Sequence, residues 1–311
     1  ITLFCFPSSV FARAEESFEK TLNLDKDGKV FLENIAGDIT VKGWNKKKVL
    51  VKARKVARHK EDLDNVTIDI SGTNDTVRIV TRHHKSGWSG SSGVSVDYEL
   101  FVPKKASVDV ETVSGSVEAT EIGGYLGITT VSGDLKITDA QDGVRARSVS
   151  GDVKIVNSGG RVRAKSISGK IDLQTITGEA DLKTVSGDIA IRDIRGSVEV
   201  TSVSGDIEME GVSKAENVEA KTVQGSIEYE GDLEGKGNYE LKTHSGDVSM
   251  KLPKNAHFEL KAKSLSGEIE CDFKVQISDK RSDKRLQGVV GKGGARLHLS
   301  SFSGDITIGK K

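Results

Sequence analysis

The sequence predicts an all-β protein: a single-stranded parallel β-solenoid, β-helix-like with about 18–21 residues per coil, carrying a β-rich N-terminal cap. Three observations predict it. A glycine recurs at a fixed interval, apolar residues alternate with charged ones between those glycines, and bulky core-forming side chains are scarce.

The recurring glycines belong to Ser-Gly-like triplets: Gly115, Gly133, Gly151, Gly169, Gly187, Gly205, Gly225, Gly246 and Gly267. Their spacings are 18, 18, 18, 18, 18, 20, 21 and 21 residues. Five equal intervals in succession mark a repeat architecture. Gly124, Gly160, Gly178 and Gly196 halve the unit, and apolar or small residues follow each anchor at offsets of two, four and seven, as in Val162, Ala164, Ile167 and Ala180, Leu182, Val185. The first two of each trio alternate as in a strand with one buried face. The third is expected to turn inward again after a corner. No helical period fits, and a glycine every nine residues would cost a helix about 1 kcal/mol each time.

Two short strands and two tight corners per unit describe one coil paired in parallel with the next. The eight intervals from Gly115 to Gly267 then stack to about 38 Å at ~4.8 Å per coil. The composition suits so thin a core: 311 residues hold 34 glycines but only 3 prolines, 35% hydrophobic and 5% aromatic. One coil cannot stand alone. About six inward side chains at ~1.5–3 kcal/mol each do not offset ~1–2 kcal/mol per residue of backbone entropy, so stacking is required and both ends need caps.

Along the chain, residues 1–14 read as a secretory signal truncated at its start. An apolar run over 1–11 precedes Ala12-Arg13-Ala14, an A-x-A site with cleavage expected after Ala14. Bulky Phe4 before Cys5 argues against a lipoprotein. Residues 15–112 form the cap: runs such as KVFLENIAGDITVKGW, KVLVKARKVA, TVRIVTR and VSVDYELFVP alternate without the 18-residue rhythm, and longer antiparallel strands are expected there. Residues 113–270 are the regular coils. Residues 271–311 are C-terminal coils and a cap, with a polar, glycine-rich loop over 278–294 and one last motif copy, LHLSSFSGDITIGKK. Two echoes tie the ends together: VPKKASVDVETVSGSVE at 102–118 resembles LPKNAHFELKAKSLSGEIE at 252–270, and AGDITVKG at 36–43 resembles SGDITIGK at 303–310.

These stretches together resemble the bacterial toastrack family of adhesin-like β-strand-repeat proteins. The matching features are NIAGDITVKGW, DYELFVPKKASVDVETVSGSVE, the serial VSGD units and the closing GKGGARLHLSSFSGDITI, over about 20–311. The resemblance implies a right-handed β-solenoid, an extracytoplasmic or envelope location, and roles in adhesion, scaffolding or envelope-stress signalling. It supplies no catalytic residues.

The charge balance, 46 Lys+Arg against 46 Asp+Glu, gives no global field for nucleic acid. After cleavage Cys271 is the one cysteine left, so no intrachain disulfide is expected, and no stretch of the mature chain is apolar for the length of a membrane span. The Ser-Gly-Asp triplet invites three readings. As a calcium-stabilised β-roll it offers too few oxygen ligands, one acidic residue at every second nonapeptide. As a polysaccharide-active enzyme, stacked aspartates come near the carboxyl spacing of retaining glycosidases, yet a row of identical groups lacks a distinct acid and base. As a turn, glycine permits positive φ and Asp caps free amides. The turn reading is adopted for Gly115, Gly133, Asp134, Gly151, Asp152, Gly169, Gly187, Asp188, Gly205 and Asp206. Lys170 stands where an aspartate would, which suits a turn better than a ligand. The six histidines show no metal-ligand spacing.

Recognition is therefore expected where the repeat breaks down. Lys46, Lys47, Lys48, Lys52 and Arg54 belong to a stretch, 46–60, with eight Lys/Arg in fifteen residues. Alternation puts Lys52 and Arg54 on one strand face, with Glu61, Asp62 and Asp64 available to balance them. Trp88 sits in a glycine-serine loop at 83–93. The chain is expected to be an exported, non-catalytic binding or scaffolding module without cofactor, whose partner is an envelope polymer, an anionic lipid surface or a protein.

Overall fold

The computed structural model describes residues 13–84, 93–277 and 282–311. The apolar N-terminal run, the Trp88 loop from 85 and residues 278–281 lie outside the described residues. The remainder is two long β-sheets, of 14 and 15 strands among the described residues, with one continuous hydrophobic core between them.

Each repeat gives one strand to each sheet. Val162–Ser168 and Ile171–Thr177 form one unit; Ala180–Ser186 and Ile189–Arg195 form the next. Pairing is parallel with a one-unit offset, Val162 against Ala180 and Ile171 against Ile189. The residues at offsets two and four are buried at every anchor but the last, where Cys271 is half-buried, as the alternation requires.

The residue at offset seven behaves differently in the two half-units, which corrects the expectation that it always turns inward. After the Ser-Gly-Asp corner it is buried: Ile122, Ala140, Ser158, Ile176, Ile194 and Val212. The residue before it lies in the left-handed region, at φ of 55–58° for Glu121, Asp139, Asn157, Thr175 and Asp193. That local reversal breaks the alternation and aims the next side chain at the core. In the other half-unit no such reversal intervenes. Its sixth residue, a Thr or Ser, points in, and its seventh, Val131, Val149, Ile167, Val185 or Val203, points to solvent.

The two ends also depart from chain order. The unit formed by Lys29–Glu33 and Ile39–Trp44 pairs in parallel with Ser107–Ser114 and Val117–Thr120 on one side, and with Thr76–His83 and Ser95–Pro103 on the other. Antiparallel pairing, expected for the whole cap, is confined to its margin: Ala14–Asn23 on Lys48–Ala57, Lys48–Ala57 on Ser95–Pro103, and Val66–Gly72 on Thr76–His83. At the other end the last motif copy, Ala295–Ser303 and Ile306–Lys310, is inserted between the unit at 238–252 and the unit at 258–271. The two sequence echoes are thus neighbouring units at opposite ends. Within the expected loop 278–294, Arg285–Val290 is a strand antiparallel to Phe258–Ser264, with Leu286 and Val290 buried. Gly288 in the middle of that short run masks its alternation.

Candidate binding surfaces

The Ser-Gly-Asp corners bind one another. Gly115, Gly133, Gly151, Gly169, Gly187 and Gly205 all have φ between 138° and 151°. A Cβ on any of them would lie 2.0–2.3 Å from the carbonyl oxygen of the stacked glycine. Both the dihedral and the spacing therefore demand glycine. Beside them the aspartates form a ladder: Oδ1 of Asp134 accepts from the N–H of Asp152 at 2.9 Å, Asp152 from Lys170 at 2.8 Å, Asp188 from Asp206 at 2.9 Å, and Asp206 from Ser226 at 2.7 Å. Each acceptor serves the same position one unit on. Lys170 fits because its backbone N–H, not its side chain, is what the ladder uses at that level. Among the described residues no group of three or more His, Cys, Asp or Glu gathers as metal ligands would.

At six units the inward Thr or Ser of the other half-unit also bonds the corner. Ser166 Oγ donates to the Gly151 carbonyl at 3.3 Å, Thr222 to Gly205 at 3.2 Å, Thr243 to Gly225 at 2.8 Å and Ser301 to Gly246 at 2.9 Å. Thr112, Thr130, Thr184 and Ser202 are buried at the same place without a hydrogen-bond partner, so what the row shares is that this residue faces in and, by strand alternation, the next faces out. The consequence runs the length of the stack: Ile35, Val113, Val131, Val149, Ile167, Val185, Val203, Val223, Phe302 and Leu265 are each 40–51% exposed. His244 occupies the place between Val223 and Phe302 and stacks on the Phe302 ring at 4.6 Å. Among the described residues twelve large apolar side chains are exposed, and ten belong to this stripe. The repeat motifs contain these residues, but their spacing alone sends them inward.

The basic stretch of the cap divides into two parts. Lys52 and Arg54 do share a face, but strand register sets them opposite Glu99 and Asp97. Lys52 Nζ lies 3.0 Å from Glu99, and Arg54 lies 2.9 Å from Asp97 and 3.8 Å from Glu15. The hydrogen bond from Lys52 holds the Glu99 carboxyl below its usual range, and Asp97 likewise raises the Arg54 guanidinium. These acids, not Glu61, Asp62 and Asp64, neutralise the strand face, where a cleft of about 510 Å³ includes Asp38, Lys52, Arg54, Asp97 and Glu99 in its lining. Lys46, Lys47 and Lys48 are different. They are exposed on a tight turn held by a 2.7 Å hydrogen bond from Trp44 Nε1 to the Lys48 carbonyl, and no ion pair involves them among the described residues. Lys46 Nζ sits 4.6 Å from the centre of the Trp44 ring, which itself packs on Phe101. Trp88 lies outside the described residues.

An all-β chain of parallel repeats, whose repeated polar residues serve its own corners, is a β-repeat scaffold with its variable chemistry at the ends and along one edge. A family profile described as Toastrack DUF4097 matches residues 28–234 and 231–309. The chain belongs to this toastrack family. Among solved structures it is similar to a putative lipid binding protein from Parabacteroides distasonis ATCC 8503 (12% identity, 95% of this chain and 96% of that one, TM-score 0.42). It is also similar to a putative adhesin from Bacteroides fragilis NCTC 9343 (14% identity, 95% and 97%, TM-score 0.39). The comparison with curated proteins gives no match.

Proposed function

We propose that this chain is an exported, non-catalytic binding and scaffolding module of the cell envelope or surface, adhesin-like and suited to envelope-stress sensing. Its two sheets are read as the faces of one single-stranded parallel solenoid, capped at 15–112 and again at 271–311. The observation that carries the reading is the contrast between spent and unspent polar groups. The corner aspartates, the best acid–base candidates in the sequence, already hold backbone amides of the next unit. Lys46, Lys47 and Lys48 project from the cap on a turn braced by Trp44, with no acidic partner among the described residues. Three adjacent cations on a rigid turn suit an anionic envelope polymer or an anionic lipid surface.

The test is co-sedimentation with vesicles containing anionic lipid, alongside capture of anionic polymers from envelope extract. A Lys46→Glu/Lys47→Glu/Lys48→Glu variant is expected to lose most of the binding and to keep its melting temperature. A Lys52→Glu/Arg54→Glu variant is expected to lose less, because those charges are already compensated. Equal binding by wild type and the triple variant would remove the cap turn from the reading.

A further inference from the structure

The apolar stripe is a one-residue-wide row that repeats at the inter-strand spacing of about 4.8 Å. It crosses eleven stacked units, from Ile35 to Leu265, with aliphatic side chains at nine, His244 at the ninth and Phe302 at the tenth. We infer that it is a self-association surface, on which a second copy of this chain packs its own stripe in antiparallel orientation. This goes beyond the reading of the cap turn and does not depend on it.

Three observations support a second copy as the occupant. The first is pitch. Side chains of one row interdigitate with another only if the periods match, as in dry zipper interfaces, and a row with the same repeat exists on another copy of this chain. An extended peptide repeats its like-facing side chains at about 6.6 Å, which drifts out of step within two units.

The second is area. Fully burying such a side chain is worth about 1.5–3 kcal/mol at ~25 cal/mol/Å², or about 60–120 Å²; ten side chains at roughly half exposure offer about 300–600 Å² of apolar surface. A standard interface takes about 800 Å² from each partner, a little over half of it apolar, so the stripe supplies the apolar share.

The third is charge. Two columns of outward residues run beside the stripe, two and four residues before it in strand register. On the second unit they are Asp109 and Glu111, on the fourth and fifth Arg145, Arg147, Arg163 and Lys165, and on the last Lys261 and Lys263. None of these eight has an ion-pair partner among the described residues. In between, Lys183 pairs with Asp181 and Glu199, Lys221 with Glu219, and Lys242 with Glu240. A two-fold axis between Val185 and Val203 sets Asp109 and Glu111 of one copy against Lys261 and Lys263 of the other. It sets the arginine-rich units against the compensated units that carry Glu219 and Glu240. In the first column Arg145 and Arg163 then meet Glu240 and Glu219. In the second Arg147 and Lys165 meet Lys242 and Lys221, whose charges are already paired within their own copy, and the contact closes as an isologous dimer.

The experiment is sedimentation equilibrium of the purified chain over a concentration series. Wild type is expected at twice the chain mass. Ile167→Glu/Val185→Glu/Val203→Glu is expected to be monomeric with an unchanged melting temperature, since all three side chains already face solvent. Should that variant fail to fold, the milder Ile167→Ser/Val185→Ser/Val203→Ser replaces it. Lys261→Glu/Lys263→Glu is expected to weaken the dimer about tenfold, and adding Asp109→Lys/Glu111→Lys is expected to restore it, which only the antiparallel register allows. A monomeric wild type, a glutamate or serine variant that stays dimeric, or charge reversal without rescue would each overturn the proposal.

Discussion

Asp188 Oδ1 accepts a hydrogen bond from the backbone N–H of Asp206, 2.9 Å away and one unit later. The bond satisfies an amide at a corner where no ladder partner is available, so the carboxylate matters as an acceptor and not as a charge. Asp188→Ala is expected to cost about 1 kcal/mol in urea denaturation, and Asp188→Asn, which keeps the acceptor, markedly less. Excess chelator is expected to leave the wild-type melting temperature unchanged. Equal losses for Ala and Asn, or a melting point lowered by chelator, would instead make the carboxylate charge the essential feature.

Gly187 lies at φ 148°, and a Cβ there would sit 2.3 Å from the Gly169 carbonyl oxygen. Gly187→Ala therefore forces both an unfavourable dihedral and a separation of two coils that continue on either side. We expect a loss of more than about 2 kcal/mol, read by the denaturation midpoint. Gly235→Ala, where the added Cβ meets nothing within 4 Å, is the matched control and is expected to be near neutral.

Thr175 holds φ at 57°, a strained setting for a β-branched residue. The equivalent positions carry Asp139, Asn157 and Asp193, residue types that tolerate it better. Thr175→Asn is expected to stabilise the chain by about 0.5–1 kcal/mol, seen as a higher melting temperature. A drop would show that the threonine hydroxyl or methyl contributes more than the strain it imposes.

Tyr98 is buried, with its hydroxyl 2.6 Å from Thr81 Oγ1, and burial pushes its pKa up to about 12. Burial also raises Tyr229 and Tyr239. Between about pH 10 and 12 the unfolded chain releases a proton that the folded chain keeps, so stability must fall as pH rises through that window, by roughly 1.4 kcal/mol for each pH unit crossed. Well below the unfolded value near pH 10 the full contribution is present and stability does not change with pH on this account. Melting temperatures from about pH 8 to 12 are expected to decline only above about pH 10, and Tyr98→Phe is expected to flatten part of the decline.

Much of the fold is legible in the sequence because its determinants are local and repeated. Gly151, Gly169 and Gly187 announce corners at any level of the stack, and Val162 with Ala164 announces a strand with one buried face. The corner role of Asp152 is legible for the same reason: a short acidic side chain next to a positive-φ glycine has a free amide within reach. Less legible is Ile167. Its neighbour Ser166 is polar and reads as outward, whereas its hydroxyl is drawn in by the Gly151 carbonyl of the preceding unit. Alternation sets Lys52 and Arg54 on one face, as the structure does, but the acids that neutralise them, Glu99 and Asp97, lie more than forty residues away.

The sequence by itself determined the repeat length, the strand and corner alternation, the buried pairs at offsets two and four, and membership of the toastrack family. The alternation and the buried pairs follow from residues within one 18-residue unit, where backbone dihedrals and side-chain direction are fixed by near neighbours; the repeat length and the family follow from the order of such motifs along the chain. Only the tertiary structure decided which units touch. It inserted 295–310 one unit in from the end, sandwiched 29–44 between two others, spent the charges of Lys52 and Arg54, and lined up ten apolar side chains into one exposed stripe. Those outcomes depend on inter-unit register and on which carbonyl a hydroxyl can reach across a coil boundary, and neither is written in the spacing of residues along the chain.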